Sequence, residues 1–399
     1  MVLFGNIVVY IIMAFAVVGA FASIFKEGSE LGNQFLEGLN AIGAIFLPVA
    51  GIMAATPYIT QFVTTVFGPA YSLVGADPSM AATTFIAVDM GGYQLADALA
   101  KTRESWIMAM ITGYLAGATI VFSIPVALKM IKKQDRKYLA LGMMSGFITI
   151  PVGVLISSII VAIAKSEIRE IVSTNSPMTY QVLLSFTTIF LNLIPLIIIC
   201  GLIVVGLLVI PEKMITGFNV FGKILDSSLR IIFVFSVVEY FTGLGTTLLG
   251  SWGFDPIIAD EQDVNRALEL SGYIGIMLCG AFPMVYFLKR WLQQPLEVLG
   301  KRVGLSADAS AGVLAASANV IALFSMIEDM EPEDKIITIS FSVCGAFLIG
   351  DHLAFTANFQ PSLILPIMLG KLGASILAIY LAKVLVISRM KRSMPNTNI

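Results

Sequence analysis

The chain has 399 residues, of which 57% are hydrophobic and only 13% are charged, and its formal net charge is −2. This composition is far more apolar than that of water-soluble globular proteins. The slight negative charge, without a basic tract, argues against nucleic acid as a partner. The three cysteines, Cys200, Cys279 and Cys344, stand singly in apolar segments and show no metal-ligand spacing, so packing roles and no cofactor are predicted.

Long apolar segments predict an all-α polytopic membrane protein, because a helix satisfies its own backbone hydrogen bonds in lipid. A bilayer core about 30 Å thick needs roughly 20 apolar residues per helix. Nine segments meet this requirement: 3–24, 40–65, 105–130, 138–164, 181–210, 218–246, 270–288, 335–358 and 362–387. Two further segments, 77–100 and 304–328, are more polar and are broken.

Short motifs occur twice in the same order along the chain, which indicates an internal repeat. The heptapeptide GATIVFS at Gly117–Ser123 matches GDHLAFT at Gly350–Thr356. Three other pairs have nearly the same offset: Glu37–Gly43 with Glu269–Gly275, Ala76–Ala81 with Ala307–Gly312, and Leu139–Gly146 with Ile367–Ala374. We therefore predict two related halves, 1–165 and 218–387, joined by a linking transmembrane helix within 166–217 and followed by a cytoplasmic tail, 388–399.

Loop charge predicts that the two halves are inverted, since Lys and Arg favour the cytoplasmic side. The loop 129–137 is basic, whereas its counterpart at 358–362 carries no charge. The loop 289–302 is basic, whereas its counterpart at 68–75 is uncharged. Equivalent loops of opposite charge bias are typical of inverted-topology repeats.

The same rule predicts that segments 77–100 and 304–328 are re-entrant hairpins. If both cross the membrane, 11 loop or terminal Lys and Arg residues lie inside and 10 outside. If both return to the side of entry, the counts become 16 inside and 5 outside. Each half then holds four spanning helices and one broken hairpin, and the C-terminus is cytoplasmic.

The broken hairpins indicate where a ligand would bind, because non-helical backbone at membrane depth is tolerated where it lines a cavity. Asp89 stands just before the helix-breaking pair Gly91 and Gly92, and Asn319 has the equivalent position in the second hairpin. Inversion would bring both breaks to the midplane. Asp351 and His352, from the repeated heptapeptide, would lie in an adjacent span.

Membrane carboxylates are costly and are usually functional or paired, so these aspartates suggest a small cationic ligand. Phe122, Phe355 and Tyr93 could offer ring faces to it. Thr119, Asn319, Gln94 and His352 could hydrogen-bond a hydroxyl group. The complete candidate binding set is Asp89, Gly91, Gly92, Tyr93, Gln94, Thr119, Phe122, Asn319, Asp351, His352 and Phe355.

Structural roles compete with these functional ones. Asp89 could cap the helix that follows the glycines, Asp351 could pair with the intramembrane Lys371, and the rings could simply pack. Glu37 and Glu269 are repeat-related and are expected to open helices, where the helix dipole favours negative charge. Structural or gating roles are therefore assigned to Glu37, Glu269 and Lys371.

Other functional classes fit the motifs poorly. The stretch Gly217–Ile224 resembles a Walker A loop but lacks its final Ser or Thr, so no ATP-driven transport is predicted. Two membrane aspartates could serve an intramembrane aspartyl protease. That class usually has Gly-x-Gly-Asp, whereas Leu348 replaces the first glycine and Val88 stands where a tyrosine usually precedes Asp89. An uncoupled cation-selective channel or a receptor stays open, and an enzyme is not expected.

Five long motifs make the chain resemble the EutH ethanolamine permease family: GADPSMAATTFIAVDMGG (75–92), TIVFSIPVAL (119–128), DRKYLALG (135–142), IPEKMITGF (210–218) and GDHLAFTAN (350–358). The resemblance implies a multi-pass protein of the bacterial inner membrane that admits ethanolamine for a cytosolic ammonia-lyase pathway. It assigns no residue roles. Ethanolamine is a small cation with one hydroxyl, which matches the ligand suggested by the residues.

Transport could be facilitated diffusion or could be coupled to a proton or a sodium ion. Membrane lipid surrounds the protein, and a homodimer is compatible with a chain of this size and class.

Overall fold

The computed structural model describes residues 1–255, 267–388 and 390. Apart from one two-stranded hairpin, its regular elements are helical. In chain order they are α1 Val2–Phe25, α2 Glu30–Val66, α3 Gly68–Leu73, α4 Ser79–Phe85, α5 Gly92–Leu99, α6 Arg103–Thr112, α7 Ile124–Met130, α8 Arg136–Ala164, β1 Glu167–Arg169, β2 Met178–Gln181, α9 Phe186–Val209, α10 Pro211–Thr242, α11 Leu244–Leu249, α12 Ala267–Arg302, α13 Ala307–Ala318, α14 Val320–Met326, α15 Pro332–Gly345, α16 Asp351–Phe359 and α17 Ile364–Leu381. Most of the predicted tail 388–399 lies outside the described residues.

Seven helical stretches of the described chain are long and apolar enough to cross a membrane, which confirms the all-α multi-pass class. Two of the nine predicted spans are not among these seven. Most of the segment 218–246 lies in the long but more charged helix α10, which ends at Thr242. The linking span is also shorter than predicted, because residues 178–181 form strand β2 and α9 begins at Phe186.

The predicted continuous span 335–358 is wrong, because the chain leaves the helix between Gly345 and Asp351. Within this turn Phe347 has a φ of +60°, which is unusual for a residue other than glycine. Helix α13 compensates the lost helical bonds: the amides of Phe347 and Ile349 donate to the carbonyls of Ala316 and Ser317 at 3.1 and 2.9 Å. Buried backbone groups need such partners, so the break depends on α13.

The counterpart span, 103–130, stays helical but is irregular. Its turns at Gly113–Gly117 and Thr119–Ser123 are π-helical, and they separate α6 from α7. π-Turns lengthen the hydrogen-bonding step and often mark functional sites. Both copies of the repeated heptapeptide therefore lie at a disturbance of helical geometry.

Each of the two polar segments forms a helix, a break and a second helix. In the first, Ile86 is extended and Gly91 is left-handed, with a φ of +93°. In the second, Asn319 is extended between α13 and α14. The ends of each segment meet: Lys101 N donates to Asp77 Oδ2 at 3.0 Å, and Ser306 Oγ donates to Asp334 Oδ2 at 2.8 Å.

Helix α8 has 29 residues and is about 43 Å long at 1.5 Å per residue, so its ends mark two faces of the bundle. We call the face around residues 129–137 the basic end. There Lys335 forms a buried ion pair of 2.9 Å with Asp135, and Lys132 pairs with Glu328. The hydrogen bond to Glu328 raises the pKa of the exposed Lys132 ammonium above its ordinary value. The Lys132–Glu328 pair places the start of the acidic stretch 328–334 beside the basic loop.

The β1–β2 hairpin defines the opposite face, which we call the hairpin end. The two strands are antiparallel, with Ile168 opposite Tyr180. Tyr180 donates to Glu104 at the start of α6, and Ser362 Oγ donates to the carbonyl of Glu167. The hairpin is therefore fixed to elements from both predicted halves.

Helices α2 and α12 pack closely through small residues. A Cβ on Gly38 would lie 2.5 Å from the amide nitrogen of Cys279, and one on Gly275 would lie 2.1 Å from Ile42 Cγ1. Small residues allow membrane helices to approach one another. Gly38 and Gly275 belong to the repeat-related motifs Glu37–Gly43 and Glu269–Gly275, so each motif contributes a glycine to the same interface.

Candidate functional site

A cavity of about 250 Å³ lies where the breaks meet. Both broken segments, the 346–350 turn, α2 and α12 contribute to its wall. The lining residues from the breaks and the turn are Ala87, Asp89, Met90, Asn319, Ile321, Phe347, Asp351 and His352. We call this space the central cavity.

The central cavity is apolar apart from four side chains, those of Asp89, Asn319, Asp351 and His352. Among the described residues, no Lys or Arg lines it. Two carboxylates therefore face a largely apolar space whose described wall contains no lysine or arginine. A cationic ligand would supply the missing charge, since membrane-embedded carboxylates are costly when unpaired.

Several polar atoms at this site have no partner within the described structure. They are Oδ1 of Asp351 and both ring nitrogens of His352, and His352 is only 1% exposed. Buried polar groups normally form hydrogen bonds. Unpaired groups beside a cavity are therefore available to a ligand or to water.

The local fold explains why Asp351 and Asn319 occupy these positions. Asp351 is the first residue of α16 and follows the turn, so the helix dipole favours its negative charge. Asn319 Oδ1 accepts from Ile321 N at 2.8 Å and thereby caps α14. That bond uses the amide oxygen, and it leaves the side-chain NH₂ of Asn319 to donate.

Aromatic rings surround the polar groups. His352 lies between Tyr114 and Phe347, with ring centroids 5.0 and 5.3 Å away. Phe122 meets Phe347 edge to face at 5.7 Å. Phe122 and Phe347 both line the cavity, so ring faces are available close to the carboxylates.

The structure brings together five of the eleven predicted binding residues: Asp89, Phe122, Asn319, Asp351 and His352. The two glycines shape the first break instead. A Cβ on Gly91 would lie 2.6 Å from Ile52 Cβ, and one on Gly92 would lie 2.5 Å from the carbonyl oxygen of Ala87. Close backbone packing at these positions therefore requires glycine.

The other four predicted binding residues lie outside the cavity lining. Thr119 Oγ1 donates to the carbonyl of Val343 at 2.7 Å. Tyr93 stacks on Trp106 at 4.9 Å, and Phe355 packs edge to face against Tyr93. Gln94 is buried, and its side-chain amide has no partner within the described residues. Aromatic packing therefore holds Tyr93 and Phe355, whereas a hydrogen bond to α15 holds Thr119.

The three residues assigned structural or gating roles are placed as follows. Glu37 does not open a helix as predicted, because α2 begins at Glu30, two turns earlier. Glu269 lies in the first turn of the described part of α12. Lys371 is 1% exposed and donates to the carbonyl of Tyr114 at 3.0 Å. The alternative in which Lys371 pairs with Asp351 is wrong, since no such ion pair exists within the described residues.

Sequence reasoning missed Phe347, Phe282 and Met90, which also line the cavity. A signal for Phe347 was present, because Gly345 and Gly350 bracket it in an otherwise apolar span. Glycines at this spacing permit a turn. Phe282 and Met90 carried no signal that distinguishes them from packing residues.

A group of three His, Cys, Asp or Glu side chains able to hold a metal ion is not found among the described residues. The chemistry of the site is therefore that of carboxylates, an amide, an imidazole and aromatic rings. Such a set binds small organic cations by charge and by hydrogen bonds.

Comparison with known proteins gives a consistent result. A family model described as "Ethanolamine utilisation protein, EutH" matches residues 4–385. A probable ethanolamine permease EutH from Listeria monocytogenes is 38% identical over 376 residues, which cover 94% of this chain and 92% of the relative. The protein of the same name from Escherichia coli is 38% identical over 404 residues, covering 96% and 95%. An uncharacterized protein YxeR from Bacillus subtilis is 32% identical, covering 94% and 93%. No solved structure matches.

Proposed function

The chain belongs to the EutH family of ethanolamine utilisation proteins, and from this membership we propose that it carries ethanolamine across the bacterial inner membrane. Relatives bear the name probable ethanolamine permease. The observation that carries the proposal is the central cavity, whose described wall holds two carboxylates and no lysine or arginine. Ethanolamine at neutral pH is a small ammonium ion, and this wall complements its charge.

Asp89 and Asp351 are the proposed counter-charges for the ammonium group. They reach the cavity from different halves of the chain, one in the first break and the other at the start of α16. The faces of Phe122 and Phe347 add cation–π attraction, which is stronger where water is excluded. A ligand with one positive charge balances only one of the two carboxylates, so the second could bind a coupling proton or sodium ion.

Asn319 and His352 are proposed to hold the hydroxyl group. The Asn319 NH₂ can donate to the hydroxyl oxygen while its carbonyl keeps its capping bond to Ile321. His352 offers two unpaired ring nitrogens, of which a neutral ring donates from one and accepts at the other. A site that bonds a hydroxyl discriminates against amines without one, because its own polar groups would be left unpaired.

Inverted repeats with re-entrant hairpins are the proposed architecture, as two halves at 1–165 and 218–387 with the linking helix within 166–217. Three observations support it. The ends of the first broken segment meet near the hairpin end, through Asp77 and Lys101, and those of the second meet near the basic end, through Ser306 and Asp334. Both breaks line one cavity. The third is the paired glycine motifs between α2 and α12.

Alternating access is the proposed mechanism, in which the unit around the cavity moves against the other helices. Discontinuous helices at a midplane site are typical of secondary transporters. A fixed cation-selective pore through the same site is the second candidate, because a cavity lined by Asp89 and Asp351 would select for cations in an uncoupled pore as well.

Uptake of labelled ethanolamine into proteoliposomes tests the proposal. Entry that stops at equal concentrations would indicate facilitated diffusion, whereas accumulation driven by a proton or sodium gradient would indicate coupling. Asp89→Asn should abolish most uptake, and Asp308→Asn, the same change at an exposed position on α13, should leave it intact. Absence of uptake by the parent protein would refute the proposed function.

A further inference from the structure

A single buried glutamine ties three elements together at the hairpin end. Gln360, which is 0% exposed, follows α16. Its side-chain Nε2 donates to the Tyr93 hydroxyl at 2.8 Å and to the carbonyl of Arg169 at 3.0 Å. Its Oε1 accepts from the backbone amide of Arg169 at 2.9 Å. The side chain therefore joins the first broken segment, the β-hairpin and the end of α16.

Arg169 completes the connection with its guanidinium group. One terminal nitrogen donates to the carbonyls of Asn358 and Phe359, both at 2.7 Å, and Nε donates to the carbonyl of Ser176 at 2.9 Å. The first two carbonyls belong to the last turn of α16, where the helix dipole is negative and attracts a cation. We call Tyr93, Arg169, Gln360 and these two carbonyls the latch.

An aromatic layer, which includes Tyr93 of the latch, lies between Gln360 and the central cavity: Phe355 packs against Tyr114, and Tyr114 packs against His352 in the cavity wall. Tyr93, Trp106, Phe355 and Phe359 are all at most 1% exposed. Tyr93 stacks on Trp106 at 4.9 Å, and Phe355 lies 4.6 Å from Phe359 between ring centroids. Trp106 Nε1 also donates to the carbonyl of Tyr93 at 3.1 Å. A hydrated amine cannot cross this layer without its rearrangement, because the rings are closely packed.

Toward the basic end, the described residues do not close the central cavity with a comparable aromatic layer. A second space, about 330 Å³ in volume, is lined by Glu37, Lys289 and Ser325 and shares Phe282, Asn319 and Ile321 with the central cavity. Three side chains, only one of them aromatic, therefore form the boundary between the two spaces. We call this second space the vestibule.

We propose that the latch is the gate of the transport path at the hairpin end, and that the structure is closed there while the central cavity communicates with the basic end through the vestibule. The latch joins both halves through hydrogen bonds that a closed state makes and an open state breaks. Loss of these bonds shifts the population toward the open state, since an interaction formed in only one state biases the equilibrium. This inference rests on the proposed function, because it takes the central cavity as the transport site.

Cysteine accessibility tests the gate without requiring transport. Cys200, Cys279 and Cys344 are replaced by alanine, and Ala118→Cys, a buried position in the cavity wall, is the reporter. A membrane-impermeant thiol reagent is applied to right-side-out and to inside-out vesicles. With the latch intact, the reporter should react faster from the basic end than from the hairpin end.

Gln360→Ala should raise the reaction rate from the hairpin end by roughly tenfold or more, because it removes three buried hydrogen bonds, each of modest net strength. Arg169→Lys keeps the charge but loses the geometry that joins two carbonyls, so an intermediate increase is expected. Thr179→Ala, an exposed change on strand β2, is the matched control and should leave the rate unchanged.

Three outcomes would overturn the gate. The first is an unchanged labelling rate from the hairpin end in both latch variants, provided that thermal melting shows them to be folded. The second is an equal increase of that rate in Thr179→Ala. The third is rapid labelling from the hairpin end in the protein with an intact latch. A different result would refute only the counter-charge: the latch variants speed labelling as expected, but the Asp89→Asn protein still transports ethanolamine. In that case the gate proposal stands. The two proposals therefore fail separately.

Discussion

Asp89, Asp351, Asn319 and His352 form the polar part of the wall of the central cavity, and the rest of that wall is apolar. Each is held by a local feature: Asp89 by a 3₁₀ turn, Asp351 and His352 by the start of α16, and Asn319 by its capping bond. Side chains that are fixed before the ligand arrives lose less entropy on binding.

Asn319→Ser is predicted to weaken ethanolamine binding about threefold to tenfold, because it removes the side-chain NH₂ group that is proposed to donate to the ligand hydroxyl. Serine also caps helix N-termini well, so α14 should keep its cap. Isothermal calorimetry measures the change. Binding of ethylamine, which lacks the hydroxyl, should change little, and an equal loss for both amines would contradict the assigned role.

At the scale of elements, four departures from regular helix create the cavity or bound it. They are the first break with Gly91, the second break at Asn319, the turn at 346–350 and the π-turns of 113–123. Backbone amides of the turn at 346–350 donate hydrogen bonds to carbonyls of α13. The second broken segment and the α15–α16 pair therefore form one unit. A motion of one is therefore expected to carry the other.

Gly91→Ala is predicted to lower the free energy of unfolding by about 1–3 kcal/mol, the usual cost of strain at a positive φ. The added Cβ would also meet Ile52 Cβ at 2.6 Å. Thermal melting in detergent measures the loss. Gly201→Ala is the control: it lies in α9, where a Cβ meets nothing within 4 Å, and it should be neutral or stabilising. Equal melting temperatures of Gly91→Ala and the parent would contradict the argument.

At the scale of the whole molecule, ion pairs at the basic end join the two proposed halves. Lys335 and Asp135 are 8% and 5% exposed in their side chains, whereas Lys132 and Glu328 are more than half exposed. Burial decides their importance, because an unpaired charge is far more costly in the interior than in water.

Lys335→Met is therefore predicted to destabilise the protein by about 3–5 kcal/mol, since it leaves Asp135 buried without its partner. Lys132→Met removes the neighbouring exposed pair and should cost less than about 1 kcal/mol. Both are compared by thermal melting. The double variant Lys335→Met with Asp135→Leu should recover much of the loss, and failure to recover would show that the charge is not the cause.

Topology gives a separate test at the same scale. Loop charge predicts that the basic end faces the cytoplasm, and Lys383 donates to the carbonyls of Val303 and Gly304 at that end. A reporter fused to the C-terminus should therefore score as cytoplasmic, and one inserted at the hairpin turn near residue 174 should score as periplasmic. The reverse pattern would invert both the topology and the side assigned to the latch.

The sequence by itself determined the class of the protein, its family and five of the residues that line the central cavity. Apolar runs leave only helices in a membrane, and the glycines after Asp89 mark a break whatever surrounds them. The cost of charge in lipid likewise singled out Asp89 and Asp351 before any packing was known.

Only the tertiary structure decided which candidates share a cavity. Tyr93, Thr119 and Phe355 have suitable chemistry, but long-range contacts with Gln360, Val343 and Tyr114 hold them elsewhere. The break at 346–350 also escaped the sequence, because its backbone bonds are supplied by α13, about thirty residues earlier in the chain. The local sequence pattern predicts the conformation that a segment favours by itself. Contacts with residues distant in sequence decide which polar groups are hydrogen-bonded and which are left free for a ligand.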